Sequence, residues 1–349
     1  MMRPKLPTLA KVSSYLNEID KSRIYSNSGP LVKRLEERYS KFLNLDPERI
    51  VSASNATIAL TGCISLNVSQ KWFIPEFTFA ATGLAALWSR KNVLSVDVSI
   101  EDWRINLEAI GNIESGIVPV MPFGTPVKTA PFKEFESVVI DAAASLGAKG
   151  NDFSSLKEND AVVFSLHATK VLGCGEGAIV VGGSKEFTHR LRTYLNFGFD
   201  GSRISQVSGC NGKMSEVSAA FGLASLDEFH VEYDDWMERL DAINRLTVTR
   251  SYHTFISNLD GVRPYWIIEL ENSAQKKQVS DLLRSESIET RSWWPSLMSQ
   301  TPGVSTKNFG GFENSKKLLE TTLGLPLWRD LPISKIEQIV YLIDSCLPN

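Results

Sequence analysis

AVVFSLHATKVLGCGEGAIVVGG, residues 161–183, sets Ser165, His167, Thr169 and Lys170 after one apolar run and a cluster of glycines before a second. Gly173-x-Gly175-x-x-Ala178 matches the dinucleotide fingerprint G-x-G-x-x-G/A, in which a strand runs directly into the first glycine and a helix opens within the motif. Here HATKV separates AVVFSL from that glycine, and AIVVGG, which follows the motif, has the composition of a strand. The order is strand, turn, strand. The fingerprint also calls for an acidic residue about 20 positions further on, and Glu186 comes too soon. The glycines therefore read as a turn that carries Lys170 between two strands.

Outward from this hairpin, runs of strand length rich in valine and isoleucine recur: IVSAS (50–54), KWFIP (71–75), NVLSVDV (92–98), GIVPVMP (116–122) and SVVIDAA (137–143). Most lack strict alternation, which suits strands buried on both faces of a mainly parallel sheet with helices between them, an α/β architecture. Leu31, Leu35, Tyr39 and Phe42 recur at helical spacing among charges and predict an amphipathic surface helix. A long, charged helical pattern runs from Met214 to about Phe255. After Gly261 come VRPYWIIEL, an apolar helical pattern around Val279 to Leu283, IETRSWW, and a closing helix from Ser334 to Leu347. The expected division is a large α/β unit over residues 1–255 and a smaller α+β unit over 256–349.

Bulk composition narrows the function class. The 349 residues are 43% hydrophobic and 22% charged, enough for a large core. With 37 basic and 40 acidic residues and no dense basic run, the chain has no electrostatic footprint for nucleic acid or an acidic membrane. A small-molecule substrate is expected. Cys63, Cys174, Cys210 and Cys346 stand far apart without a C-x-x-C pair, so no metal site and no disulfide framework is expected. MMRPKLPTLAKVSSYL at the N-terminus lacks a continuous apolar segment, and no later run is long enough to span a bilayer. The expected compartment is the cytoplasm.

In open parallel sheets ligands gather at the carboxyl ends of the strands, so the residues just after each apolar run carry the chemistry. Ser54, Asn55, Ala56 and Thr57 follow IVSAS and open a helical stretch; they read either as a plain N-cap or as a cradle for a phosphate. Asp141 ends an apolar strand. A buried carboxylate there needs a partner, which a cationic ring nitrogen or the next helix N-terminus would supply. Lys170 is either a surface lysine on a glycine-rich hairpin or an amine for Schiff-base chemistry, as in enzymes that use pyridoxal phosphate with an acidic group at its ring nitrogen. Asn211-Gly-Lys213-Met-Ser-Glu216 precedes a long helix and reads as a polar capping loop.

Taken in order, SNSGPLVKRLEERYSKFLNL, SNATIALTGCISL, IPEFTFAATGLAALW, VVIDAAASLGA, SLHATKVLGCGEGAIVV, NFGFDG, CNGKMSEVSAAFGLASLDEF, ETRSWWPSL and LGLPLW resemble the DegT/DnrJ/StrS family of nucleotide-sugar aminotransferases. These are pyridoxal phosphate enzymes of fold type I. The resemblance implies a mainly parallel seven-stranded sheet flanked by helices with a smaller C-terminal α+β domain. It implies that Lys170 forms the Schiff base and shuttles a proton, that Asp141 binds the pyridine nitrogen, and that Phe79 stacks on the ring. It assigns the phosphate to Ala56 N–H, Thr57 and Ser165, with Asn211 reaching it from a second subunit, and so implies a homodimer with shared active sites. Three departures stand out: Ala144 replaces a polar residue common near the cofactor's phenolic oxygen, Gly212 and Lys213 replace an aromatic and an arginine, and Ala56 replaces a glycine. His167, Lys213 and Arg291 are the candidate substrate contacts, each with a local or solvated role as the alternative.

The implied reaction is transfer of an amino group from L-glutamate to a keto sugar on a nucleoside diphosphate, with dTDP-4-keto-6-deoxyglucose as first choice. 3-Keto sugars and UDP- or GDP-linked sugars stand as alternatives. A nicotinamide-dependent sugar oxidoreductase requires a helix after Gly177, and a non-catalytic protein of the same fold has no need of Lys170 and Asp141 together.

Overall fold

The computed structural model describes residues 3–111, 114–255, 261–304 and 306–347. Two helices, α1 (Leu9–Ser22) and α2 (Pro30–Leu43), lead into β1 (Ile50–Ala53). Helices and strands then alternate: α3 (Ala56–Ser65), β2 (Lys71–Pro75), α4 (Ala80–Trp88), β3 (Asn92–Val96), β4 (Gly116–Ile117), β5 (Ser137–Asp141), β6 (Ala161–Ser165), β7 (Ala178–Gly182) and α5 (Lys185–Leu195). The long α6 (Glu216–Thr247) precedes β8 (His253–Thr254), β9 (Trp266–Glu269), α7 (Ser273–Ser285), β10 (Lys307–Asn308), α8 (Glu313–Thr321), β11 (Thr322–Leu325) and α9 (Ile333–Cys346).

The seven expected runs form neighbouring strands of one sheet, ordered β1-β7-β6-β5-β4-β2-β3, and β10 from the C-terminal part adds an eighth at the far edge. Pairing is parallel except around β7, which runs antiparallel to both β1 and β6. Both faces are covered. Ile50, Phe73, Ile140, Val162 and Ile179 pack into a core with α2 and α6, while Val51, Ile74, Val139, Val163 and Val180 pack into a second with α3 and α5. Burying both faces removes the need for polar alternation, which is why these strands read as continuous apolar runs.

A three-stranded antiparallel sheet, ordered β11-β9-β8, forms the smaller layer. Its strand β8 lies at residues 253–254, just before the expected division, and residues 256–260 on the other side of that division lie outside the described residues. The long helix ends at Thr247 rather than near Phe255.

Candidate active site

The opening segment folds as a hairpin. Ser165 pairs with Ala178 and Ala161 with Gly182, and the turn is tightened by Leu166 N–H to Gly177 O at 2.9 Å and Ala168 N–H to Gly175 O at 2.9 Å. Gly175 has φ +98°, and a Cβ at Gly173 would meet the backbone of His167 and Ala168 at 3.0 Å. The glycines thus serve a left-handed turn and a close backbone approach, and β7, not a helix, follows them. That excludes the dinucleotide fingerprint. Lys170 sits on this turn, its N–H bonded to His167 O at 2.8 Å.

Asp141 terminates β5 with 6% exposure. Its Oδ2 accepts from Thr82 Oγ1 at 2.8 Å and its Oδ1 from Ala143 N–H at 3.2 Å. Burial raises its pKa, opposed by these hydrogen bonds and by the nearby positive charge of Lys170. No cation lies within ion-pair distance of it among the described residues. Lys170 Nζ donates instead to the hydroxyl of Tyr265 at 2.6 Å.

Further cofactor candidates end or follow β1, β2 and β6 in the chain. Asn55 caps α3 by accepting the Ile58 N–H at 2.9 Å. The Ala56 and Thr57 N–H groups precede any intrahelical acceptor and find none among the described residues. Ala56 keeps a negative φ, so the substitution for glycine is without strain. Ser165, at the end of β6, accepts the His167 N–H at 3.1 Å. Phe79, 55% exposed, stands at the N-cap position of α4, and its ring is tilted against that of Trp294 with centroids 5.3 Å apart.

The other candidates have local partners. His167 Nδ1 lies 2.8 Å from Thr169 Oγ1, and its Nε2 lies 3.8 Å from Glu176, all on the same turn. Asn211 is exposed; its Oδ1 accepts from Lys213 Nζ at 3.0 Å, and that ammonium lies 4.4 Å from the centre of the Phe197 ring. The loop is tied to the α3 terminus by Ser54 N–H to Gly212 O at 2.7 Å. Arg291, also exposed, lies over Trp293 at 5.2 Å. Two residues at the centre escaped the sequence reading. Thr82 is one more small residue in an apolar helix, and Tyr265 lies nearly a hundred positions from Lys170 in VRPYWIIEL, which reads only as part of the smaller α+β unit.

A buried carboxylate without a cation, a lysine amine a short way off and a helix N-terminus with free N–H groups together suit a planar cationic ring that bears an aldehyde and a phosphate. The residues present fit pyridoxal phosphate. Fold and pocket define the class: a pyridoxal phosphate-dependent aminotransferase of fold type I. The chain belongs to the DegT/DnrJ/EryC1/StrS aminotransferase family, whose sequence profile matches residues 9–344. It is 28% identical to a dTDP-4-amino-4,6-dideoxy-D-glucose transaminase of Shigella dysenteriae, covering 98% of this chain and 97% of the relative. It is 23% identical to the GDP-perosamine synthase of Escherichia coli O157:H7, over 96% of this chain and 94% of that one. Among solved structures, DesI, crystallised with its TDP-sugar product, superposes with a TM-score of 0.86 at 26% identity, over 99% of this chain and 91% of that one.

Proposed function

We propose that this protein transfers an amino group from L-glutamate to C4 of a dTDP-linked 4-keto-6-deoxyhexose. The observation that supports it most is end-to-end similarity to the Shigella transaminase, together with a buried Asp141 that feels the positive charge of Lys170. The GDP-perosamine synthase relative makes a GDP-linked keto sugar the second candidate.

When bound, pyridoxal phosphate supplies a ring that holds the electron pair left by breaking a Cα–H bond. Asp141 keeps the ring nitrogen protonated, and that cation in turn stabilises the buried carboxylate. Thr82 and the Ala143 N–H fix the carboxylate's orientation. Lys170 Nζ would hold the cofactor at its aldehyde carbon and, once the donor's amine has displaced it there, would move a proton between the substrate carbon and the cofactor. Phe79 would stack against the ring face. Ala56 N–H, Thr57 and Ser165 hold the phosphate at the α3 terminus, where the helix dipole favours an anion.

Asn211 completes the phosphate site of a second subunit, and His167, Lys213 and Arg291 meet the sugar nucleotide. The homodimer is supported by exposed apolar side chains near Asn211, among them Tyr25 at 56%, Phe197 at 45% and Val217 at 45%. Residues 1–255 form the cofactor-binding domain and 256–349 the smaller one, and the enzyme works in the cytoplasm.

The purified protein loaded with cofactor absorbs visible light, L-glutamate bleaches that band, and Lys170→Ala lowers turnover by roughly a thousandfold or more. A panel of dTDP-, UDP- and GDP-linked keto sugars, assayed for amination by mass spectrometry, identifies the acceptor. A band indifferent to glutamate and to every sugar on the panel overturns the reading.

A further inference from the structure

Tyr265 is 8% exposed, and its ring is wedged edge-on against Phe123 and Trp293, with centroids 5.6 Å away in each case. Its hydroxyl accepts from Lys170 Nζ at 2.6 Å, so its own proton remains to be donated. Among the described residues nothing takes it. A buried hydroxyl with an ungiven proton is costly, and the surrounding cluster of Phe77, Val98, Trp103, Phe123 and Ala144 is apolar. Ala144, in that same cluster, contributes no polar atom where the family resemblance leads one to expect a polar side chain.

In pyridoxal phosphate the phenolic oxygen is attached to the ring carbon next to the one that bears the aldehyde. A hydroxyl in contact with the lysine that bonds the aldehyde is therefore within reach of that oxygen. We infer that Tyr265 donates a hydrogen bond to the cofactor's phenolic oxygen and at the same time positions the Lys170 amine, replacing the polar side chain missing at position 144. The inference rests on the function proposed above. It makes a residue of the C-terminal part a cofactor-binding residue.

The test compares wild type, Y265F and the double variant Y265F/A144Q, each stripped of cofactor. Each is offered pyridoxal phosphate or its 3-deoxy analogue, which lacks the phenolic oxygen. Borohydride-fixed label on Lys170 is timed by peptide mass spectrometry, and the balance of near-ultraviolet and visible bands is recorded. Y265F is expected to take up pyridoxal phosphate roughly tenfold more slowly and to show an altered band balance. With the 3-deoxy analogue its loss is expected to be several-fold smaller, since only the positioning of the Lys170 amine is then lost, and A144Q is expected to restore part of the rate lost with pyridoxal phosphate. The inference is overturned if Y265F matches wild type with both compounds, or loses equally with both, since an equal loss marks a purely structural role. If Y265F does not fold, its circular dichroism reveals it, and wild type then decides: with each labelling rate normalised to that compound's rate with free lysine, equal rates for pyridoxal phosphate and the 3-deoxy analogue overturn the inference, and a roughly tenfold slower rate for the analogue supports it. Wild type that takes no label on Lys170 defeats the parent proposal, and the inference falls with it.

Discussion

At the residue scale the decisive group is Asp141. Its folded-state pKa is raised, chiefly by burial, so the folded chain without cofactor holds that proton more tightly than the unfolded chain does. By linkage, the cost of ionising it is absent below the unfolded aspartate range and grows as pH rises, reaching its full value above the folded pKa. D141N removes the cost. The stripped variant should therefore melt a few degrees higher than wild type at neutral pH, with the gap closing in acid, while losing retention of pyridoxal phosphate. Thermal scans of both proteins across pH decide it; a variant that melts lower at neutral pH shows that Thr82, Ala143 and Lys170 already outweigh the desolvation. Asp141 was legible in the sequence because a strand ends on it. Its partner Thr82 was not, because a hydroxyl in the middle of AATGLAALW has no distinguishing context until β5 is laid beside α4.

At the element scale, the strands were legible because burial on both faces imposes an apolar run. The caps were only partly so. Glu216 opens α6, where the helix dipole favours an acid, yet its carboxylate is fully buried and serves another helix: Oε2 accepts the Leu31 N–H at 2.8 Å and Oε1 the Val32 N–H at 3.0 Å at the start of α2. E216Q leaves one acceptor and turns an amide N–H toward a backbone N–H. It should cost about 1–3 kcal/mol in urea unfolding, and a midpoint equal to wild type would show that the cap contributes nothing. Glu36 plays a similar part, joining α2 to Ser52 of β1 and, through both oxygens, to Arg192 of α5. Neither partner set follows from local sequence, because the bonded groups lie more than a dozen residues apart.

At the scale of the whole molecule, exposed Ile204 and Val207 at 69% and 41% accompany Phe197 on the loop that precedes Asn211. Light scattering should give a mass near twice 38.7 kDa, and I204E/V207E should shift it toward the single-chain mass and weaken cofactor retention together. A wild-type monomer that retains cofactor sinks the shared-site arrangement. By itself, the sequence determined the hairpin that presents Lys170, the α/β class and the family, since apolar periodicity and turn glycines are local and are written residue by residue. Only the tertiary structure decided that the Lys170 amine meets Tyr265, that Thr82 orients Asp141, and that β10 crosses from the C-terminal part to join the large sheet. Contacts of that kind depend on chain closure over tens to hundreds of residues, and their geometry exists only once the sheet and the C-terminal layer are packed together.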